Sequence, residues 1–430
     1  MQRQNTWASE KAVVQHYRRR SPERSELYRV VYHARDELER VWEPRFQAEY
    51  GGFRRAVGQT LDSYLNCGLL IHGAARVYCT GCQHSQLVAF SCKKRGVCPS
   101  CASKRAVKFA EHLYDEVLES VPHRHVVFSV PKRLRSYFRY DRVLGSLLFQ
   151  AAWSSLKEGV GIETGNPGLV LTLQTAGDKL NWNPHLHGLL SDRLFGEGGR
   201  VQVLRAIDLE RITRTFAEKV LGAFAVRELI SDEVMSQILS QEHSGFSVWV
   251  GEPFTDAESA RFVARYVERG PLSLERLSVR EELVVYQTKD GAEREFEPLE
   301  FLALLSSHIP NFYESVTRFY GHYSCRARGE RRKRGITSNI ELGAREQTSK
   351  PSSWWAACIK RIYEIDPLQC PKCGGTMRIV GFVQNPVEIK KMMQSLGLPD
   401  FTAPPSIEPS AAGRAADEYL FLDEISDCDT

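Results

Sequence analysis

The 430-residue sequence lacks several features that would assign it to a particular class of protein. No apolar run reaches the length needed to cross a membrane, so no membrane partner is expected. The first residues, Met1–Thr6, are polar and provide no hydrophobic segment of a secretion signal. We therefore expect a soluble protein of a reducing compartment. An HExxH motif is also missing, which makes a zinc hydrolase a weak alternative.

Neither positive nor negative charge is in large excess, because the net charge is only +4. The distribution along the chain is nevertheless uneven. Basic clusters occur at Lys93–Arg95, Lys132–Arg142 and Arg326–Arg334, whereas the C-terminal stretch is acidic. Such local clusters indicate phosphate binding better than the total charge does. Hydrophobic residues make up 42% of the chain, which predicts a packed globular core.

Patterns of apolar spacing and composition divide the chain into successive segments. A helical segment at 1–65 precedes a cysteine-rich zinc-binding domain at 66–120. The main domain, at 121–325, contains strand patterns at Val121–Pro131, Leu169–Thr175, His185–Ser191 and Phe246–Val250, and a hairpin that turns at Asp290-Gly291. After it we expect a basic linker at 326–353, a small CxxC module at 354–398 and a disordered acidic tail at 399–430.

The eleven cysteines include CxxC pairs, which in a reducing compartment indicate metal sites before disulfides. Cys79, Cys82, Cys98 and Cys101 form two such pairs at a spacing that suits one tetrahedral Zn²⁺ with four thiolates. Cys92 or His84 could replace one of these ligands. A site closed by four sulfurs has a structural and not a catalytic role. The adjacent Lys93, Lys94 and Arg95 predict that the loop binds DNA, and an ordinary solvated surface is the alternative.

A further pair, Cys370 and Cys373, is half of a second zinc site. The spacing leaves its other ligands open. They could come from Cys358 or Cys428, from another segment, or from a second chain.

Two histidines, His185 and His187, lie two residues apart in a strand pattern and therefore face the same side of a sheet. Neutral imidazoles so placed can hold a divalent cation, and Gln174 on the preceding strand is the predicted third ligand. A pair of ordinary strand histidines remains the alternative. His123-Arg124-His125 has the same spacing, but the charged Arg124 is ill suited to a buried strand, so this pair is less favoured.

A well-delimited helix is predicted between the capping signal Thr255–Glu258 and the stop signal Gly270-Pro271. Tyr266 would stand at the border of its apolar face, beside a basic stripe formed by Arg261, Arg265 and Arg269. A tyrosine there could attack a phosphodiester that the stripe positions for DNA cleavage. The helix pattern alone favours a packing tyrosine whose hydroxyl meets solvent.

The order of these motifs is more specific than any one of them. From about Cys67 to Gly381 the chain carries F-S-C-K-K-R-G-V-C-P-S-C, N-W-N-P-H-L-H, A-R-F-V-A-R-Y-V-E-R-G-P, F-Y-G-H-Y-S-C-R-A-R-G and C-P-K-C-G-G. This order resembles the rolling-circle insertion-sequence transposases of the HUH class, which have an N-terminal zinc-binding domain. The resemblance implies an α+β fold with an antiparallel sheet and flanking helices. It also implies a prokaryotic cytoplasmic protein that is associated with the nucleoid when bound to DNA.

The resemblance also implies residue roles. His185 and His187 match the histidines that bind Mg²⁺ or Mn²⁺, and Tyr266 matches the nucleophile that forms a 5′-phosphotyrosine link with single-stranded or hairpin DNA. Some members of the family have two tyrosines four residues apart, but here the first position is Phe262. A single-tyrosine cycle, or a second protomer in a homodimer, is more consistent with this sequence.

Two alternative functions remain at the level of sequence. A rolling-circle replication initiator would use the same chemistry to start copying DNA. A non-catalytic zinc-ribbon DNA-binding protein would use the histidines and Tyr266 only for structure.

Overall fold

The structure, a computed structural model, describes residues 20–160, 165–196, 199–204, 207–241, 244–335 and 368–407. The chain forms two compact units. Unit 1 comprises Met1–Ser21, Gly68–Phe90 and Gln347–Phe401, and unit 2 comprises Pro22–Cys67, Ser91–Glu346 and Thr402–Thr430. The segment predicted as one zinc-binding domain, 66–120, is divided between them. Among the described residues no helix has both the length and the apolar character needed to span a membrane.

Most helices belong to unit 2. They are α1 (Glu26–Arg40), α2 (Trp42–Tyr50), α3 (Arg55–Leu65), α4 (Pro99–His112), α5 (Lys132–Tyr140), α6 (Gly145–Val160), α7 (Leu209–Ala225), α8 (Asp232–Ser240), α9 (Ala257–Val267), α10 (Pro298–Ser307) and α11 (Cys325–Lys333), whereas α12 (Pro386–Ser395) lies in unit 1. The segment predicted as a basic linker thus begins as helix α11. Its remainder from 336 onwards lies outside the described residues, as do Cys358, Cys428 and the tail from 408.

The strands form antiparallel sheets. They are β1 (Ala74–Cys79), β2 (Ser85–Ala89), β3 (His123–Ser129), β4 (Asn166–Ala176), β5 (Trp182–Phe195), β6 (Val201–Val203), β7 (Ser247–Val250), β8 (Leu277–Arg280), β9 (Leu283–Gln287), β10 (Glu293–Phe296), β11 (Thr317–Gly321) and β12 (Met377–Val383). Strands β9 and β10 form the predicted hairpin, and Gly291 in its turn has a φ of 85°. Together with the helices, the sheets confirm the predicted α+β class.

Unit 2 is built on a six-stranded sheet in the order β11-β4-β5-β3-β7, with β6 added to β5. Alternate residues of its strands point to opposite faces. One face carries Phe128, Leu171, Leu186 and other apolar side chains, which pack with α5, α6 and α7 into a large core. The other face packs around Val170 and Leu189 against α4 and α9, and it also carries the candidate site.

Unit 1 contains a three-stranded sheet in the order β12-β1-β2. Its apolar core combines Leu70, Ala74 and Leu87 with Ile389 and Met393 of α12. Residues from widely separated parts of the chain therefore share one small core.

Candidate functional site

Three histidines lie on one face of the large sheet. His185 and His187 flank the buried Leu186 along β5, and His125 lies on the neighbouring β3. Nε2 of His125 is 3.0 Å from Nδ1 of His187, and the ring centroids of His185 and His187 are 4.7 Å apart. The structure therefore brings the two predicted metal ligands together and adds a third imidazole beside them.

The sequence disfavoured His125 as a site residue because its neighbour Arg124 is charged, but the structure accommodates that charge. Arg124 faces the opposite side of β3, where its Nε donates to Oδ1 of the buried Asp192 at 2.6 Å. A charged residue can occupy a strand position beside the core when a carboxylate neutralises it. Asp192 follows the H-L-H segment on the paired strand β5, so this ion pair depends on the strand register, which the sequence does not give.

Burial keeps the three rings neutral. Desolvation lowers the pKa of His125 and of His185, and it lowers the pKa of His187 to about 2, helped by the neighbouring His185, His125 and Arg269. Nδ1 of His185 is 2.6 Å from the carbonyl oxygen of Asn183. Because a carbonyl can only accept, Nδ1 carries the proton and Nε2 presents its lone pair. This is the form of histidine that binds a divalent cation.

Asn183 provides an independent observation at the same place. Its side-chain Oδ1 is buried and has no hydrogen-bond partner among the described residues. Asn183 lies two positions before His185 on β5, and its backbone carbonyl contacts the ring of His185. A buried carbonyl oxygen without a partner, next to neutral imidazoles, suits a divalent cation with mixed oxygen and nitrogen ligands. The residues present thus fit Mg²⁺ or Mn²⁺.

Gln174, the predicted third ligand, is the cross-strand neighbour of His185. Its side-chain Nε2 donates to the backbone carbonyl oxygens of Tyr266 and Val267, each at 2.9 Å. The amide therefore holds the last turn of α9 against the sheet. Since the nitrogen is engaged, Oε1 is the atom with which Gln174 could bind a metal, and this role stays a prediction.

Tyr266 lies over the histidines. Helix α9 begins at the N-cap Asp256, whose side chain accepts from the backbone N–H of Ser259. The ring of Tyr266 is perpendicular to that of His187, with centroids 5.3 Å apart, and the guanidinium of Arg269 is 4.3 Å from the Tyr266 centroid. Phe262, one turn earlier, is 61% exposed and lies where a second tyrosine would be.

The end of the tyrosine helix is anchored by a buried carboxylate, Glu268. Its side chain is fully buried, and Arg95 Nη1 lies 2.5 Å and Arg105 Nε 4.0 Å from its Oε1. Desolvation raises the pKa of Glu268, while the two arginines oppose that rise. Arg95 therefore has a structural contact in addition to its predicted role in DNA binding. Glu268 could not be predicted from the sequence, because nothing in its local pattern indicates burial.

A cavity of about 730 Å³ adjoins the site and includes Gln174 in its wall. Its lining is rich in cations, and it contains Arg95, Arg105, Arg265, Arg269, Arg276 and Lys289. The acidic lining residues are Asp178, Glu268 and Glu275. An excess of positive charge in a concave surface favours a polyanion.

The other residues predicted to bind DNA have different surroundings. Arg261 contacts the carboxylate of Glu111 at 3.5 Å and lies over the ring of Tyr114, so the arginine stripe of α9 is not uniform. Lys94 lies 5.8 Å from the ring centroid of Phe312, and Lys93 is exposed. These contacts do not test DNA binding.

The predicted zinc site requires a correction, because its four cysteines are divided between two clusters. Cys98 and Cys101 join Cys67 and Cys92, and the sulfur of Cys67 is 3.7 Å from each of the sulfurs of Cys98 and Cys101. Cys98 is the N-cap of α4, so the pair occupies the first helical turn, close to the end of α3. Spacing along the chain shows which cysteines form a pair, but it does not show which pairs meet.

Cys79 and Cys82 instead join Cys370 and Cys373 in unit 1. In both clusters all four sulfurs lie within 4.8 Å of one another, and His84 belongs to neither. Four thiolates around Zn²⁺ at bonds of about 2.3 Å have sulfurs about 3.8 Å apart. Both clusters therefore fit structural zinc.

Comparison with known proteins agrees with this geometry. A family model described as "Transposase zinc-binding domain" matches residues 38–130, and one described as "Putative transposase" matches residues 168–331. The chain is 24% identical to the "Transposase for insertion sequence element IS801" of Pseudomonas savastanoi pv. phaseolicola over 353 residues, which is 76% of this chain and 84% of the relative. No solved structure matches. By these matches the chain resembles the rolling-circle insertion-sequence transposases, and its residues 38–130 resemble a transposase zinc-binding domain.

Proposed function

We propose that this transposase cuts single-stranded DNA at the ends of its element by attack of Tyr266 on a phosphodiester. The observation that carries the proposal is the placement of the Tyr266 ring against His187, above three neutral histidines on one sheet face. A packing tyrosine has no need of such neighbours. A nucleophile for phosphoryl transfer needs them, because charge that develops on the phosphate must be balanced close to the attacking oxygen.

In the proposed reaction the Tyr266 hydroxyl oxygen bonds to phosphorus and loses its proton. The bond from phosphorus to the 3′-oxygen breaks, and that oxygen leaves as a free 3′-hydroxyl. The 5′-phosphotyrosine link conserves the energy of the phosphodiester for rejoining to target DNA. A divalent cation held by His185 and His187, with Gln174 Oε1 as a further ligand, would polarise the phosphate when bound.

The surrounding residues orient these groups. His125 can accept a hydrogen bond from Nδ1 of His187, which fixes the ring and leaves Nε2 of His187 with its lone pair. Gln174 holds the carbonyl groups at the end of α9, and thereby the height of Tyr266 above the sheet. The basic cavity would receive the phosphate backbone of the strand, with Arg265 and Arg269 at its wall.

A cleavage assay tests the proposal. Single-stranded oligonucleotides that carry the element ends are incubated with the protein and either Mn²⁺ or a chelator, and the products are separated on a denaturing gel. We expect metal-dependent cleavage that is lost in His185→Ala and His187→Ala. His112→Ala, which changes a partly exposed histidine on α4, should cleave at the unaltered rate. Cleavage that persists in both site variants, or without metal, would contradict the proposed site.

A further inference from the structure

The second cysteine cluster combines residues from opposite ends of the sequence. The sulfurs of Cys79 and Cys373 are 3.5 Å apart and those of Cys82 and Cys370 are 3.4 Å apart, although each of these pairs spans almost three hundred residues, 294 and 288 respectively. Cys79 and Cys370 are fully buried, together with Val77, Val88 and Met377. The matched family models end at residues 130 and 331, so Cys370 and Cys373 lie beyond both.

The two CxxC turns have the same backbone structure. The carbonyl of Cys79 accepts from the N–H of Gln83, and the N–H of Cys79 donates to the carbonyl of His84, at 2.9 and 2.8 Å. At the other turn, the carbonyl of Cys370 accepts from the N–H of Gly374 and the N–H of Cys370 donates to the carbonyl of Gly375, at 2.9 and 2.7 Å. Each turn therefore presents its two sulfurs in the same way.

The backbone at these turns is also matched in conformation. Gln83 and Gly374, each four residues after the first cysteine, have φ values of 61° and 72°. A left-handed backbone is disfavoured for glutamine, so its occurrence at the equivalent position indicates a constraint that the turn itself imposes. Two equivalent turns that face each other supply four sulfurs in the arrangement that a tetrahedral Zn²⁺ requires.

Strand pairing places the turns opposite each other. Strand β1 ends at Cys79 and pairs antiparallel with β12, whose first residue, Met377, is the register partner of Cys79. The turn that follows β1 and the turn that precedes β12 thus lie at the same end of the sheet. The metal site and the small core of unit 1 depend on the same pairing.

We propose that Cys79, Cys82, Cys370 and Cys373 bind a structural Zn²⁺ that joins the β1–β2 hairpin to the C-terminal segment. The chain then holds two zinc ions, one in each cluster, and the C-terminal CxxC module is an integral part of the fold around β1 and not a separate domain. The β1–β2 hairpin provides only two of the four ligands, Cys79 and Cys82. Its metal site therefore cannot be completed until the C-terminal segment has been synthesised.

Zinc content measured by elemental mass spectrometry on the purified full-length chain tests the proposal. The wild type should contain two zinc ions per chain. The variant Cys370→Ser/Cys373→Ser should contain one, and Cys79→Ser/Cys82→Ser should also contain one. The quadruple variant should still contain one, because both pairs bind the same ion. Cys325→Ser, at an exposed cysteine outside both clusters, should retain two.

Two results would overturn the proposal. Retention of two ions by Cys370→Ser/Cys373→Ser would show that this pair is no ligand, and loss of both ions in the quadruple variant would assign the pairs to different ions. Zinc content combined with zinc X-ray absorption on the wild type requires no variant and therefore remains decisive if the variants misfold. Two zinc ions with an average of four sulfur neighbours at about 2.3 Å are expected, whereas a single ion, or nitrogen neighbours, would contradict two all-cysteine sites.

Discussion

Glu268 connects the end of α9, the helix that carries Tyr266, to the loop between Cys92 and Cys98. Arg95, which contacts it, lies between Cys92 and Cys98 on that loop, and Gly270 packs against Ala102 of α4. A Cβ at Gly270 would come within 3.0 Å of Ala102 Cβ. We infer that the cluster of Cys67, Cys92, Cys98 and Cys101 takes no part in the cleavage reaction. It instead fixes the loop whose Arg95 holds Glu268, and thereby the end of the helix that carries Tyr266.

Replacement of Glu268 by glutamine tests this support. The amide keeps the size of the side chain but leaves Arg95 and Arg105 without a buried counter-charge, so we expect a loss of about 1–3 kcal/mol in the free energy of unfolding. Single-turnover cleavage should slow while affinity for single-stranded DNA changes little, because Glu268 does not attract phosphate. The control is Glu275→Gln, an exposed carboxylate of the same cavity. Equal effects of both substitutions on urea unfolding and cleavage would refute a positioning role.

The burial of His308 makes the stability of the protein depend on pH. It is fully enclosed, its Nε2 donates to the carbonyl of Leu180 at 2.8 Å, and its Nδ1 accepts from Thr175 Oγ1 at 3.0 Å. Burial lowers its pKa from 6.5 to about 4. Between these values the unfolded chain binds the proton and the folded chain does not, so stability is present above pH 6.5 and is lost as the pH falls towards 4.

Thermal unfolding measured from pH 7 to pH 5 should therefore show a falling midpoint, and His308→Gln should show a shallower fall. The other buried histidines titrate in the same direction, so the slope should decrease without vanishing. An identical slope in the variant and the wild type would show that His308 does not contribute.

At the residue scale the sequence allowed His185 and His187 to be predicted as metal ligands, because a strand places alternate residues on one face. It allowed Tyr266 to be predicted as the nucleophile, because a capped helix has a defined end. The sequence did not allow His125 to be predicted as part of the histidine cluster, or Glu268 as the buried carboxylate at the end of α9. The first depends on the neutralisation of Arg124 by Asp192 across two strands, and the second on arginines of a distant loop. Both are tertiary contacts that local patterns do not encode.

At the scale of elements, β5 is the most constrained strand. It pairs with β4, β3 and β6, and Gly188 directly follows His187 within it. A Cβ at Gly188 would meet the carbonyl oxygen of Val170 and lie 2.6 Å from Leu171 Cδ2. Glycine at this position therefore allows β4 and β5 to approach where the histidines are carried.

Gly188→Ala should consequently displace the strand or its neighbour and cost about 1–3 kcal/mol of stability, as overpacked cores do. Gly222→Ala in α7 is the matched control, since a Cβ there meets no atom within 4 Å and alanine favours a helix by about 1 kcal/mol. Chemical denaturation gives both values. An alanine at 188 that is tolerated as well as the one at 222 would show that the close approach is not required.

The strands near the histidines and the β9–β10 hairpin could be predicted because each has a local signal, namely apolar alternation or a turn at Asp290-Gly291. The order β11-β4-β5-β3-β7 could not, since it depends on pairings between residues far apart in sequence. The same limitation explains the zinc ligands. Each CxxC pair was recognisable, but the partners of Cys79 and Cys82 followed from the pairing of β1 with β12.

At the scale of the whole molecule, the cations that line the cavity of unit 2 favour phosphate binding more than the net charge of +4 does. Single-stranded DNA bound there would release counterions, and log K should fall with log salt by about 0.7 for each phosphate contacted. Arg265→Gln should lower this slope by roughly that amount and weaken binding to all sequences alike. Arg227→Gln, at an exposed arginine beyond α7 and outside the cavity, should leave the slope unchanged.

These slopes can be measured by fluorescence anisotropy of labelled oligonucleotides over a range of salt concentrations. A slope that is the same for Arg265→Gln and the wild type would exclude the cavity as the path of the strand. At this scale the sequence predicted the family, yet the composition of unit 1 from distant segments was not predictable, because no local pattern joins 68–90 to 347–401.

A trapping experiment can show whether Tyr266 becomes covalently linked to DNA, as we propose. Single-stranded DNA with a 3′ label and the element ends is incubated with the protein and Mn²⁺, and labelled protein that resists SDS is measured. We predict a labelled adduct in the wild type and in Phe262→Leu, and none in Tyr266→Phe, which should still bind the DNA. An adduct of undiminished yield in Tyr266→Phe would show that the nucleophile is a different residue.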